Sequence, residues 1–294
     1  MKLGLWKRAL RPFSFFSSFL PVCLGGVLAA KRGQFDLRLF LLSLVGVLFI
    51  HGGTNLLNNY YDYRCGVDTE ESLGYDNLLL YDLLAPKKVK KVGWSCFLAT
   101  LPIIIYLVYR RGLPVLVLTL LGVIGGSFYT APPLNYKYYA LGVPLVFTLL
   151  GPLVVIGSYY VQTARFSLRV VLVSLPVGFL VSAILHGNDF RDIEYDRQVG
   201  IKTLAIVLGK QSAAYLYSLL VFLPYFVVSG LAFFNLATVR ILITLVTIPR
   251  AVKNSFRVQK AAVDPNFDIE DIDRKTVYLY INFVGLLVVA AFFG

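Results

Sequence analysis

The sequence predicts an all-α protein that crosses a membrane many times, and three observations carry that prediction. Hydrophobic residues make up 57% of the 294 positions, with a mean hydropathy of +0.72. Only 15% of residues are charged, too few for an ordinary soluble domain. The apolar residues fall in continuous runs of about 18 to 20, the length a helix needs to cross a bilayer. An outer-membrane barrel would instead show alternating segments of about 10 residues.

In chain order, apolar segments occupy residues 12–30, 39–57, 92–109, 113–129, 141–161, 170–187, 212–231, 236–249 and 276–293, about nine spans in one domain covering 1–294. With the N-terminus inside, the inner segments are 1–11, 58–91, 130–140, 188–211 and 250–275. They hold 20 of the 28 Lys and Arg residues, the bias expected of a cytoplasmic face of a cell-membrane protein. The outer connections, such as Arg110-Arg111-Gly112, are short. Function is therefore expected on the inner face.

The formal charge of +12 does not point to nucleic acid, because the basic residues are scattered between apolar spans. Anionic lipid headgroups are the natural partner of such a face. Cys23, Cys65 and Cys96 are odd in number and lack metal-type spacing, so they imply no disulfide framework. Lys2, Lys7, Arg8 and Arg11 before an apolar run imitate a signal peptide; without a small-residue cleavage site the run reads as a retained first span.

Two polar stretches interrupt this pattern. In the second, Asn188 to Thr203, a continuing helix would set Asn188, Asp192 and Asp196 on one face at i, i+4 and i+8. Carboxylates that close repel by roughly 1 kcal/mol per pair in water and by more at lower dielectric. A hard divalent cation relieves the repulsion, and Arg191, Arg197 and Lys202 nearby suit a Mg-bound phosphate. In the first stretch, residues 55–68, Asn55, Asn58 and Asp62 share a helical face, and Gly66 ends the helix so that Asp68 swings back.

Each stretch closes an even-numbered span and follows a His-Gly pair, at 51–52 and 186–187. That suggests two related four-helix units around a central cavity open to the cytoplasmic face. For a lone DxxxD in a soluble protein a solvated loop would be the plain reading. An Asp costs about 2.5 to 3.5 kcal/mol toward the centre of a membrane helix, so two such clusters on one face call for a functional account. His51 and His186 read as structural. Between the clusters Pro132-Pro133 stiffens the loop that presents Lys137, which composition alone would equally accept as a membrane anchor.

Taken together, Asn-x-x-Asn-x-Tyr-Tyr-Asp-x-x-x-Gly-x-Asp at 55–68, Tyr129-Thr130 with Lys137 and Ala-Leu-Gly at 140–142, and Asn-x-x-Arg-Asp-x-x-x-Asp-x-x-x-Gly-x-x-Thr-Leu-Ala at 188–205 resemble the UbiA superfamily of intramembrane aromatic prenyltransferases. The chain is most similar to the menaquinone-forming branch. Asn59 departs from the pattern, since many members carry Asp there.

The resemblance implies that Asn58, Asp62 and Asp68 with Asp192 and Asp196 bind Mg2+, two ions, that hold the diphosphate of an isoprenyl donor. Asn188 lies adjacent, and Asn55 and Tyr129 belong to the same motifs. Lys137 is a candidate diphosphate ligand by motif match; Arg64, Arg191 and Lys202 are candidates from charge and position. The implied acceptor is 1,4-dihydroxy-2-naphthoate, with 4-hydroxybenzoate or geranylgeranylglyceryl phosphate as alternatives. An ion-coupled transporter would place its charges near the midplane instead of at inner helix ends.

Overall fold

The computed structural model describes residues 2–69, 78–264 and 266–294. Part of the inner segment 58–91, including Asp76, lies outside the described residues. The chain runs through α1 (Lys2–Leu10), α2 (Phe16–Ala30), α3 (Leu37–Arg64), α4 (Pro86–Ala99), α5 (Leu101–Arg111), α6 (Leu113–Ser127), α7 (Gly142–Thr148) and α8 (Val154–Thr163). It continues through α9 (Leu168–Arg191), α10 (Ile193–Gln198), α11 (Leu204–Leu208), α12 (Lys210–Phe233), α13 (Ile248–Val263) and α14 (Ile272–Phe293). Apart from one isolated bridge between Tyr139 and Lys202, the described residues contain no strand.

Seven helical stretches among the described residues are long and apolar enough to span a membrane: 12–30, 37–64, 86–111, 142–163, 168–191, 210–233 and 272–293. Two expected spans look different. The expected fourth is α6, apolar but only 15 residues long. The expected eighth is a 3-10 helix, Val239–Thr247, that runs into α13, whose sequence carries Arg250, Lys253, Arg257 and Lys260. The expected third span is bent, with α4 and α5 meeting at Thr100 just before Pro102.

The helices form a closed ring. α2 packs on α3 and α8, α3 on α4 and α6, and α9 on α8, α12 and α14, while α14 returns to α2. Where α9 crosses the α7–α8 rod, a Cβ built on Gly151 would lie 2.4 Å from the Cα of Gly178, so only two glycines allow this approach. The rod widens there into a π stretch, Leu149–Leu153, that accommodates Pro152. The largest core joins α2, α8, α9, α12 and α14 through Tyr159, Leu180, Tyr217, Phe283 and their neighbours. Large apolar residues such as Ile105, Leu113, Leu121 and Phe226 remain on the outside, as a lipid-facing surface requires.

At 28 residues α3 is about 42 Å long, well beyond a hydrocarbon core of about 30 Å. Its last turns carry the polar residues of the first motif, and α9, at 24 residues, carries the start of the second at its own C-terminal end.

Candidate active site

The ring encloses a cavity of about 420 Å³. Its body is apolar, with Val47, Ile50, Leu118, Leu149, Leu150 and Val181 on the wall. One end is polar, and both sequence motifs reach it.

The first motif ends α3. Asp62 is buried, 4% exposed, and its carboxylate is fully engaged: Lys137 donates from Nζ to Oδ2 at 2.7 Å and Tyr138 donates its hydroxyl to Oδ1 at 2.6 Å. Gly66 adopts φ of +71°, a conformation costly for any residue with a side chain, and turns the chain back. The N–H groups of Val67 and Asp68 then return to the Asp62 carbonyl, at 2.8 and 3.4 Å, so Asp68 lines the same cavity as Asp62. Asn58 is also on the cavity wall, and its buried Oδ1 has no hydrogen-bond partner.

Asn55 lines the cavity too, but its amide holds the N-terminal segment through the Leu10 carbonyl (2.9 Å) and Ser14 Oγ (3.0 Å). Asn59 has a similar task, accepting from Arg11 at 2.5 Å and donating to the Ala9 carbonyl at 3.0 Å. An amide can do both where a carboxylate could only accept, which accounts for Asn at this departure from the motif. His51 joins the same tether, bonded to Ser18 (2.6 Å) and Ser14 (3.1 Å). Arg64 is exposed and does not line the cavity; two residues beyond Asp62, it lies about 200° further round the helix.

In the second motif α9 breaks at Asp192, yet the bonds from Asp192 N to Asn188 O (3.0 Å) and from Asp196 N to Asp192 O (2.8 Å) persist. The three side chains keep one face, and all three line the cavity. Asn188 Oδ1 is buried without a partner. Arg191 grips Asp192 with both Nε and Nη2, each at 2.7 Å, and reaches the Glu270 carbonyl (3.3 Å) and Asp273 (3.6 Å) at the start of α14. Lys202 is exposed and off the cavity; its contribution is a backbone carbonyl that accepts from Ala140 N at 2.7 Å.

That bond anchors the loop carrying Lys137, which sits on a single 3-10 turn, Tyr136–Tyr138, while its own N–H bonds the Tyr129 carbonyl at 3.0 Å. Tyr129 lines the cavity and meets Tyr136 edge-on at 5.7 Å. The structure also brings in residues that the spacing argument passed over: Asp189, Tyr195, Tyr138, Arg11, Asp273 and Arg274. Asp189 was legible, three residues before Asp192 on the same face. Tyr195 bonds the Val67 carbonyl and Thr69 Oγ1 (3.0 Å), tying the two motifs together.

Burial, with Asp62 beside it, pushes Asp68 up to about 6. Burial, with Asp192 and Asp62 adding to it, pushes Asp196 up to about 7. Burial works against the Lys137 ammonium, but Asp62 and then Asp196 more than offset it and hold its pKa above the ordinary lysine value. The polar end is thus short of positive charge. Among the described residues no three His, Cys, Asp or Glu side chains converge as a preformed metal site. A hexacoordinate hard ion that keeps water and takes only one or two carboxylates fits this donor set, and the two orphaned Asn oxygens supply neutral ligands of the right kind.

Residues 19–263 match the family described as the UbiA prenyltransferase family. The chain is 38% identical over 265 residues to UbiA prenyltransferase domain-containing protein 1 of Xenopus tropicalis, covering 88% of this chain and 75% of that protein. It is 32% identical over 249 residues to the 1,4-dihydroxy-2-naphthoate octaprenyltransferase of Bacillus subtilis, covering 85% and 80%. Its fold superposes with a TM-score of 0.67 on a UbiA homologue from Archaeoglobus fulgidus bound to GPP and Mg2+, at 16% identity over 99% of this chain and 100% of that one. With the paired motifs at one end of an apolar cavity inside a helical ring, the chain belongs to the UbiA family of membrane prenyltransferases.

Proposed function

We propose that the protein transfers an isoprenyl group from an isoprenyl diphosphate to carbon of an aromatic acceptor, 1,4-dihydroxy-2-naphthoate, in a Mg2+-dependent reaction. The observation that carries this reading is the junction of two carboxylate motifs with Lys137 and Arg191 at the polar end of an otherwise apolar cavity. The Bacillus relative's name supports the acceptor, and the Archaeoglobus structure supports an isoprenyl diphosphate with Mg2+.

Asn58, Asp62 and Asp68 on one side and Asn188, Asp192 and Asp196 on the other would hold two ions. When bound, they neutralise the diphosphate and stabilise it as a leaving group. Lys137 and Arg191 now sit on Asp62 and Asp192; with those carboxylates engaged elsewhere, both cations are placed to turn to diphosphate oxygens. Breaking the allylic C–O bond sends its electron pair to diphosphate and leaves an allylic cation. The apolar wall keeps water from quenching the cation, and the Tyr129 ring lies at the junction to stabilise it by about 0.5 to 2 kcal/mol. Acceptor carbon then attacks, and loss of its carboxyl group as CO2 restores aromaticity.

The nine-span topology counts α6 and the 236–249 stretch as the fourth and eighth spans, with the N-terminus and both motifs at the cytoplasmic face. A cysteine introduced at Gln198 in a Cys-free background should then resist an impermeant thiol reagent in intact cells, and labelling from outside would reverse the orientation. For the chemistry, purified protein is assayed with geranylgeranyl diphosphate and Mg2+ against 1,4-dihydroxy-2-naphthoate, 4-hydroxybenzoate and geranylgeranylglyceryl phosphate. Turnover of the naphthoate alone is expected; preference for either other acceptor overturns the assignment.

A further inference from the structure

The end of the cavity away from the carboxylates is closed by a small apolar plug. Leu39, Leu107, Val115, Tyr160 and Val161 form a separate buried cluster, and Leu107, Val115 and Val161 face the cavity. The plug is locked from outside: Arg111 donates to the Val161 carbonyl at 2.6 Å and the Gln162 carbonyl at 2.9 Å, and Gln162 is doubly bonded to the Asp36 backbone. One turn before Val161 on α8 stands Gly157, also on the cavity wall.

Gly157 has the most open surroundings of the glycines on the cavity wall. A Cβ built there meets nothing within 4 Å, although its neighbour Ser158 is packed against α2, with its hydroxyl on the Val22 carbonyl at 2.9 Å. Two other cavity glycines offer less room: a Cβ at Gly46 meets Ile103 at 3.6 Å, and one at Gly122 meets Leu153 at 3.9 Å. α8 is therefore held by its other face, while at Gly157 it leaves open the space just above the plug.

Distance gives that space a meaning. Gly142, whose Cβ would touch the Tyr129 hydroxyl at 3.5 Å, marks the polar end of the same helical rod. Fifteen residues at 1.5 Å separate it from Gly157, about 22 Å. An extended chain advances about 1.2 Å per backbone bond, so an isoprene unit of four bonds spans about 5 Å. A tail of about four units, its head at the carboxylates, reaches Gly157.

We propose that Gly157 sets the length of isoprenyl chain the cavity accepts, its missing side chain providing the space for the terminal isoprene unit above the Val161 plug. The inference rests on the prenyl-transfer reading and adds the residue that gauges the donor. A side chain at this position raises the floor by about one helical turn, 5.4 Å, which is close to one isoprene unit.

The test uses full-length protein in nanodiscs with Mg2+, 1,4-dihydroxy-2-naphthoate and all-trans isoprenyl diphosphates of two to six units. Gly157→Phe should keep kcat/KM for the two-unit donor within about twofold, lower it at least about tenfold for donors of four units and more, and so move the preferred length down by about one unit. Gly157→Ala, which a helix interior favours, should shift the long-to-short ratio in the same direction by less, and serves if the Phe variant does not fold. Gly230→Phe is the control: its Cβ also meets nothing within 4 Å, but Gly230 does not line the cavity, so its length profile should match the wild type. An unchanged profile in both Gly157 variants, or an equal loss with every donor including the shortest, overturns the proposal. Failure of the underlying reading looks different: wild-type protein would show no thermal stabilisation by any donor with Mg2+, whatever stands at position 157.

Discussion

The two carboxylate motifs are neutralised in opposite ways. Asp192 draws its counter-charge from the next residue, Arg191, through two bonds of 2.7 Å. Asp62 draws its own from Lys137, 75 positions away on a loop pinned by Tyr129 and by the Lys202 carbonyl. One clamp is local and the other is tertiary. Damage anywhere along the loop 129–141 should therefore reach the first motif more strongly than the second, where Lys137 acts on Asp196 only through its charge, and Tyr195, which bonds the segment after Asp62, links the two motifs.

The largest expected effect tests whether the motifs are equal in function despite this difference. Asp62→Asn and Asp192→Asn should each lower turnover by at least about 1,000-fold while leaving an extractable, folded protein, with EDTA mimicking both and Mg2+ restoring the wild type. If steady-state assays find either variant near wild-type activity, that motif serves structure and the symmetry of role is broken.

Next in size is the remote clamp. Lys137→Ala should cost about 2 kcal/mol or more, roughly 30-fold in kcat/KM with the isoprenyl diphosphate varied, and little in acceptor KM. Lys137→Arg should recover only part, because a planar fork does not reproduce a compact ammonium. A membrane anchor would tolerate both, so activity within twofold of wild type in the Ala variant removes Lys137 from the site.

A smaller effect sharpens the same comparison. Tyr138→Phe deletes one hydroxyl bond to Asp62 and leaves Lys137 in place, so kcat/KM should fall by about twofold to tenfold, the worth of about 0.5 to 1.5 kcal/mol. Kinetics that match Lys137→Ala would mean the phenol, and not the ammonium, holds Asp62.

The last effect is read in stability. With Asp68 at about 6 and Asp196 at about 7, the folded state retains protons that the unfolded chain, with carboxylates near 3.8, releases at lower pH. Folding stability in the absence of metal therefore falls as pH rises from about 4 through 7. A divalent ion relieves the repulsion only where the carboxylates are ionised, so Mg2+ should raise the melting temperature by a few degrees more at pH 8 than at pH 5.5. Thermal unfolding at the two values checks this, and an equal shift at both would place the ion elsewhere.

By itself the sequence determined the helical membrane class, the long spans, the two motif positions and the turn at Gly66. These follow from run length, periodicity and backbone chirality, which are local properties of the chain. Asn188, Asp192 and Asp196 on one face were legible for the same reason. The form of the expected fourth and eighth spans was not: hydropathy registers that 113–129 and 236–249 are apolar, but not that α6 is only 15 residues long or that Val239–Thr247 winds as a 3-10 helix. Arg64 and Lys202 looked like site residues because charge near a motif is visible in one dimension, whereas direction around a helix end and the path of a loop are not. Tyr138, Arg11, Asp273 and Arg274 reach the site from other elements, and only ring closure puts them there. The plug above which Gly157 stands open is also a tertiary fact, built by α3, α5, α6 and α8 meeting at the end of the cavity farthest from the charges.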